Sequence, residues 1–437
     1  MYRVSFYTLG CKVSLYETEA IAERFESLGF SVVPFGEAAD ITVINTCTVT
    51  AESDAKSRKY IRRAERISKG GKIIVIGCYS QRAPHEVARL PGVACVIGTE
   101  NKMKSADIAL ALLSGEKSEQ IISVTELSGA SFEPMQVQSP RRTRGFVKIE
   151  DGCECRCSYC AIAPARGPVR SKPREDVLRE VSHLYETGVR EVVLTGIETG
   201  SWGADFKEKG SLADLISDIG ALCPDIRIRL GSMAPELLTE EFIDKVSKER
   251  CMVPHFHISM QSASDKILRL MRRRYSLAKA ERSIRRIKEK MPRVMLTADL
   301  MVGFPGEEDE DFRATVDFVS RHGLLSAHVF AYSRREGTPA AEFENQVPEN
   351  IKRERSRALL SEVDRTRDRI LSDIVASGDM LPVIFEEEYD GGYIGHSDSY
   401  IEVVAGADKD ISGKLLSIIP RSHKGGKIYG EIVKTDN

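Results

Sequence analysis

The sequence predicts an α/β protein in three parts: an N-terminal parallel α/β domain of Rossmann or flavodoxin type, a central partial (β/α)6 barrel, and a small C-terminal all-β barrel. Three observations predict it. Short apolar strand segments alternate with helical patterns through residue 126. The alternation lapses over residues 127–144 and then resumes for six strand–helix units up to residue 376. From 377 to 437 the chain turns to short β-rich segments punctuated by glycine.

In the first part, residues 1–126, Val4–Leu9 is a strand and Glu17–Leu28 a helix, with Ala20, Ile21, Phe25 and Leu28 on one face. Ile41–Asn45 is the next strand, Ala55–Ile67 a strongly basic helix, and Ile73–Ile76 and Cys95–Ile97 are further strands. The Ser-, Gly- and Pro-containing stretch 127–144 reads as a linker. In the second domain, 145–376, the expected strands are Phe146–Ile149, Glu191–Thr195, Ile226–Leu230, His255–Met260, Met295–Met301 and Ala327–Ala331. Helical patterns lie between them, and a long helix over Asn350–Ala376 closes the domain. The third domain carries strands at Val383–Glu388, Ser399–Val404, Lys414–Ile419 and Ile428–Val433.

Composition narrows the function. The chain has 437 residues, 42% of them hydrophobic and 29% charged, which is ordinary for a globular protein with more than one core. A net charge of −2 gives no global nucleic-acid signal, so any such signal must lie in local clusters. The start, Met1-Tyr2-Arg3-Val4, lacks a basic leader followed by an apolar run, and no apolar stretch reaches the ~20 residues of a membrane helix. The expectation is a cytoplasmic protein with no membrane partner. Ten cysteines in a reducing compartment point to metal ligands, reactive thiols or small core residues rather than disulfides.

Six of the cysteines form two patterns. Cys153, Cys157 and Cys160 stand as C-x3-C-x2-C just after the first barrel strand, where barrel active sites lie. Three thiolates from one loop can hold an iron–sulfur cluster and leave one iron open; a structural zinc site or a fully ligated electron-transfer cluster is the competing reading, and Cys155 permits other ligand triples. Cys11, Cys47 and Cys78 each follow an N-terminal strand by one or two residues. In a parallel sheet these strand ends lie side by side, so the three would converge on a second site. Any one of them alone is as well explained by filling a turn. Cys95, Cys223 and Cys251 fit no pattern and are assigned to packing.

The loop with Tyr159 before its last cysteine resembles that of the radical S-adenosylmethionine superfamily. With Val43-Ile44-Asn45-Thr46-Cys47-Thr48, Arg166-Gly167-Pro168-Val169-Arg170, Val302-Gly303-Phe304-Pro305-Gly306-Glu307 and Tyr332-Ser333-Arg334-Arg335-Glu336-Gly337-Thr338-Pro339, the whole chain resembles the tRNA methylthiotransferases. Gly10-Cys11-Lys12-Val13 resembles their threonylcarbamoyladenosine branch; Ser14, Leu15, Glu198, Thr199 and Cys155 depart from its usual residues. The resemblance implies a radical S-adenosylmethionine barrel and a C-terminal TRAM domain. It implies two 4Fe–4S clusters, on Cys11, Cys47 and Cys78 and on Cys153, Cys157 and Cys160. The open iron of the latter would chelate S-adenosylmethionine. The activity implied is addition of a methylthio group to N6-threonylcarbamoyladenosine at position 37 in the tRNA anticodon loop, with an electron donor such as flavodoxin or ferredoxin. Alternatives are action on isopentenyladenosine tRNA or a ribosomal protein, or a non-catalytic iron- or zinc-binding RNA module.

Further contacts to S-adenosylmethionine are expected at strand ends. Gly196 and Glu198 would meet its amino group, Ser259 and Gln261 its ribose or carboxylate, and Gly303 its adenine, with Tyr159 nearby. Arg166 and Arg170 would bind a carboxylate or RNA phosphate. Two basic runs are expected to touch phosphate: Lys56, Arg58, Lys59, Arg62, Arg63 and Arg66, and then Arg269, Arg272, Arg273, Arg274, Arg282, Arg285 and Arg286. In the otherwise acidic tail, Arg421, Lys424 and Lys427 form a basic loop with the same expected role.

Overall fold

The computed structural model describes residues 1–208 and 210–433. The chain begins with β1 (Arg3–Thr8), α1 (Lys12–Ser27), β2 (Ser31–Val33), β3 (Ile41–Thr46), α2 (Ala51–Ile67) and β4 (Lys72–Gly77). There follow α3 (Cys78–Arg82), α4 (Pro84–Ala88), β5 (Val93–Ile97), α5 (Ser105–Leu113) and β6 (Ile121–Ser123). The six strands form one parallel sheet in the order β2-β1-β3-β4-β5-β6. Continuous apolar runs such as Ile73–Ile76 suit strands covered on both faces, and these four residues are fully buried. The strand order reverses between β1 and β3, which opens a crevice at their carboxyl ends.

Residues 127–144 are not a free linker. They have no regular secondary structure, yet Leu127, Met135 and Val137 are buried. The Tyr16 hydroxyl donates to the Met135 carbonyl (2.7 Å), and the Val137 amide donates to the Glu180 carboxylate (2.8 Å). The segment is a strap clamped between the first two domains.

The central domain runs β7 (Gly145–Lys148), β8 (Glu150–Asp151), α6 (Ile162–Arg166), β9 (Arg170–Ser171), α7 (Arg174–Glu186), β10 (Glu191–Thr195), α8 (Leu212–Leu222), β11 (Arg227–Leu230) and β12 (Ser232–Met233). It continues with α9 (Glu240–Val246), β13 (His255–Gln261), α10 (Asp265–Leu270), α11 (Leu277–Lys290), β14 (Met295–Val302), α12 (Asp309–His322), β15 (Leu324–Ala331) and α13 (Glu349–Ser377). Parallel pairing joins β7-β10-β11 and β12-β13-β14-β15, and only Gly231 separates β11 from β12, so the two sheets are halves of one six-stranded partial barrel. Alternate residues divide the strands. Leu296, Ala298, Leu300 and Val302 pack under the helices, whereas Thr297 and Asp299 face the lumen with His257. On the lumen side of β7 and β10, Phe146 and Val193 are covered by Tyr16 and Ala20 of α1, so the N-terminal domain fills the barrel's open flank.

The last domain is a closed barrel of β16 (Leu381–Tyr389), β17 (Gly392–Ser397), β18 (Glu402–Ala405), β19 (Leu415–Lys424) and β20 (Lys427–Ile432), in the order β16-β17-β18-β20-β19. It seats on the amino-terminal mouth of the central barrel. Arg229 donates to the Ser397 carbonyl (3.1 Å), Arg144 pairs with Glu386 (3.3 Å), and the Tyr400 ring stacks on His255 at 4.7 Å with Arg229 over it at 5.0 Å. Among the described residues no helix is long and apolar enough to cross a membrane.

Candidate active site

The three N-terminal cysteines occupy equivalent places. Cys11 caps the start of α1 just past β1, Cys47 directly follows β3, and Cys78 is the first residue of α3 after β4. β1, β3 and β4 are neighbours in register, so the three thiols share one edge of the sheet, at the crevice where the strand order reverses. Cys11 is exposed, Cys47 partly buried and Cys78 buried. Burial pushes the Cys78 thiol up to about 11, and the Arg166 guanidinium pulls the other way.

The second triad lies in the turn after β8. Gly152 opens it at φ +94°, and a side chain there would come 1.9 Å from the Pro168 carbonyl oxygen. Each sulfur receives an N–H: Cys153 from the Cys155 amide (3.5 Å), Cys157 from Arg273 (3.3 Å) and Cys160 from the Ile162 amide (3.3 Å). Donors of this kind stabilise the negative charge of cluster-bound thiolates.

One buried side chain joins the two triads. Arg166 is fully buried; it donates to Cys78 Sγ (3.1 Å), to Glu17 (2.7 Å) and to Asp151 (3.2 Å), two residues before Cys153. Lys148 bonds the same two acids, and Lys102 also pairs with Glu17. Against the cost of burial, Arg166, Lys102 and Lys148 hold the Glu17 carboxyl well below the usual range. Arg170 joins Asp151 to Glu100, so four cations face three carboxylates, an excess of one positive charge beside Cys78 that a thiolate would balance. Farther out, Arg335, in the loop that follows β15, bonds Thr48 (2.8 Å) and Asp54 (2.5 Å) beside Cys47.

Comparison with known proteins fits this arrangement. Residues 147–319 match the radical SAM superfamily, and residues 3–98 match a family described as uncharacterized protein family UPF0004. The threonylcarbamoyladenosine tRNA methylthiotransferase MtaB of Bacillus subtilis (strain 168) is 38% identical over 439 residues, covering 99% of this chain and 96% of the relative. The chain belongs to the tRNA methylthiotransferase family. The Thermotoga maritima protein of the same name is 37% identical over 81% of the chain and 80% of its own length. A tRNA-2-methylthio-N(6)-dimethylallyladenosine synthase of Carboxydothermus hydrogenoformans is 32% identical over 95% of the chain and 96% of its own length. Among solved structures, the radical S-adenosylmethionine methyltransferase TsrM of Kitasatospora setae shares the fold, with a TM-score of 0.58 at 15% identity over 84% of this chain and 89% of that one.

In this methylthiotransferase, the residues expected around S-adenosylmethionine fall into two sets. Glu198 is buried beyond β10; its carboxylate accepts from the Ala234 amide (3.1 Å), and burial raises it to about 8. Its own amide donates to Glu150 (2.9 Å), whose other oxygen is buried without a partner, and Gly196 lets Glu150 lie close. Neither carboxyl has an ion pair among the described residues, which suits an incoming ammonium. Gln261, at φ +63°, ends β13, and the Ser259 carbonyl accepts from Arg273 (3.1 Å). Tyr159 packs edge-on to Phe304.

The second set is engaged within the protein. Arg166 and Arg170, expected at a carboxylate or an RNA phosphate, are buried against the carboxylates of Glu17, Asp151 and Glu100. At Gly303 φ is +68°, and a side chain there would come 2.3 Å from the Lys352 methylenes. The basic runs divide as well. Lys59, Arg62, Arg63 and Arg66 are exposed on α2, whereas Arg273 turns inward to Cys157 and Arg286 pairs with Asp244. In the tail loop Lys424 is free among the described ion pairs, while Arg421 and Lys427 pair with Glu431 and Glu402. Nothing local in the sequence marks Glu17, Lys102, Lys148 and Asp151, charged residues that the two domains bury jointly, or Glu150, buried beside Gly196 and Glu198. The same holds for Lys12, which α1 carries toward the lumen; burial, Arg144 and Arg229 lower it to about 8.

Proposed function

We propose that this chain is the cytoplasmic tRNA methylthiotransferase that converts N6-threonylcarbamoyladenosine at position 37 to its 2-methylthio derivative. The observation that carries the reading is the pairing of whole-length likeness to relatives named for that activity with two cysteine triads joined through Arg166. The clusters and S-adenosylmethionine, when bound, supply the radical activation of an adenine carbon and the delivery of the methylthio group. Cys153, Cys157 and Cys160 would hold one cluster, with Arg273 and two backbone amides steadying the sulfurs. Cys11, Cys47 and Cys78 would hold the second. Glu198 and Glu150 accept the ammonium of S-adenosylmethionine, Ser259 and Gln261 border its ribose or carboxylate, and α1 with the 127–144 strap keeps water from the flank.

The lumen favours a polar substituent over an isoprenyl one. His257, Asp299 and His328 line it, and a dimethylallyl chain there would displace water from charged groups without apolar partners. Phe330, exposed two residues beyond His328, offers a face for a splayed anticodon base. The exposed α2 cations meet the RNA backbone, and a flavodoxin or ferredoxin supplies electrons. Mass spectrometry of tRNA nucleosides from cells lacking the protein tests the reading. Loss of the 2-methylthio form, restored by the parent chain and not by C11A or C157A, is expected. Its retention where no second enzyme of this activity exists overturns the assignment.

A further inference from the structure

We propose that the lumen of the central barrel holds a divalent first-row metal ion on His257, Asp299 and His328, separate from the six cluster cysteines. The three residues come from adjacent strands: His257 from β13, Asp299 from β14 and His328 from β15. Their ligand atoms, His257 Nε2, Asp299 Oδ1 and His328 Nδ1, converge within 4.8 Å of one another. Both nitrogens approach the same carboxylate oxygen, each at 3.1 Å. An octahedral ion about 2.1 Å from its donors sets neighbouring donors about 3.0 Å apart, so two edges of one coordination face are already in place. Two imidazoles and one carboxylate on one face form the donor set of mononuclear iron(II) sites, and imidazole equally suits zinc, cobalt and nickel.

The surroundings support the ligands. His257 is held from its other nitrogen: Nδ1 bonds the Thr297 hydroxyl at 2.7 Å, which turns Nε2 toward Asp299. Thr297 in turn bonds His255 Nε2 at 3.0 Å, and His255 is stacked under Tyr400, so the chain of contacts runs down to the seated C-terminal barrel. Metal-bound histidines are oriented in this way by a partner at the second ring nitrogen. His328 is the exposed member, at 67% for its side chain, so the far side of the face opens to the lumen, where water or an oxygen donor would complete the shell. A plain network of two histidines bonded to one aspartate is the competing account, and it requires no ion.

The test uses the full chain with both clusters loaded, kept anaerobic and in their oxidised, spin-paired state. Manganese(II) is added without tRNA, and its free six-line electron paramagnetic resonance signal is followed. One manganese per chain should leave the free signal, and zinc, which binds such donors more tightly, should release it. H328Q and D299N should abolish this uptake while keeping the iron and sulfide content of the parent. T297V, which keeps all three ligands, should weaken it about 10- to 100-fold. Manganese that stays free with the parent chain, or binds H328Q and D299N as it binds the parent, overturns the proposal. Because no tRNA or S-adenosylmethionine is present, that failure leaves the proposed modification activity untouched, and a failed nucleoside assay leaves the metal result standing.

Discussion

Replacing Arg166 by methionine probes the junction on which both triads depend. R166M keeps most of the side chain's volume and removes its charge and its N–H groups. The acids Glu17 and Asp151 keep Lys148, and Glu17 keeps Lys102, so the pairing is thinned rather than lost. Cys78 loses a donor at 3.1 Å. Removing one partner from a buried ion pair costs about 3–5 kcal/mol. The remaining lysines argue for the lower end, about 3 kcal/mol, or about a hundredfold in the docking equilibrium of the first domain. The loss should concentrate on one side. Purified, reconstituted R166M should retain the iron of the Cys153–Cys160 loop and lose much of the other half, and its urea midpoint should fall. Arg166→Lys should recover part of the charge but not the guanidinium contact to sulfur. An R166M protein with the parent's full iron content and an unchanged urea midpoint would refute the reasoning.

Three further outcomes follow from the geometry. C155A should keep the iron of its loop and still cleave S-adenosylmethionine, whereas C153A, C157A or C160A should each release 5′-deoxyadenosine at background level; equal loss in all four would assign the ligands differently. G152A should misfold the loop, because the backbone there is left-handed and the new methyl meets the Pro168 carbonyl at 1.9 Å; normal iron content in G152A would contradict this. Glu198 bears on pH. Burial raises its folded carboxyl from 4.5 to about 8, so between those values the folded chain binds more protons than the unfolded one and loses stability as pH rises. E198Q should flatten that part of the urea-midpoint profile, and an identical slope in parent and variant would remove Glu198 as its source.

Much of the architecture was legible because burial leaves a periodic trace. The strands at Glu191–Thr195 and Ile73–Ile76 and the long helix over Asn350–Ala376 lie where their apolar patterns place them, within a residue at each end. β2 was not seen: its three residues are too short a run to show a period. β17 was hidden by Gly392 and Gly395, of which the latter is required because a side chain would come 2.1 Å from the Ile384 carbonyl oxygen. α1 begins a turn before Glu17, at Lys12, where the Asn45 side chain donates to the Ser14 carbonyl, a contact between distant residues that leaves no local pattern. The cysteines were legible through spacing and strand ends. Their partners were not, since a buried Arg166 and an exposed Arg62 are the same letter in a sequence. Only the docking of two domains decides that one meets a thiol and the other solvent.

The seating of Tyr400 between His255, His396 and Arg229 bears on how this chain can be taken apart. A terminal module joined only by a tether can be deleted or exchanged between relatives without harm to the catalytic body. Here the terminal module is also the floor of that body. Cutting the chain after α13 would uncover Arg229, Glu191 and His255 to water, and a graft from a relative must bring its own ring and carbonyls to the same spot.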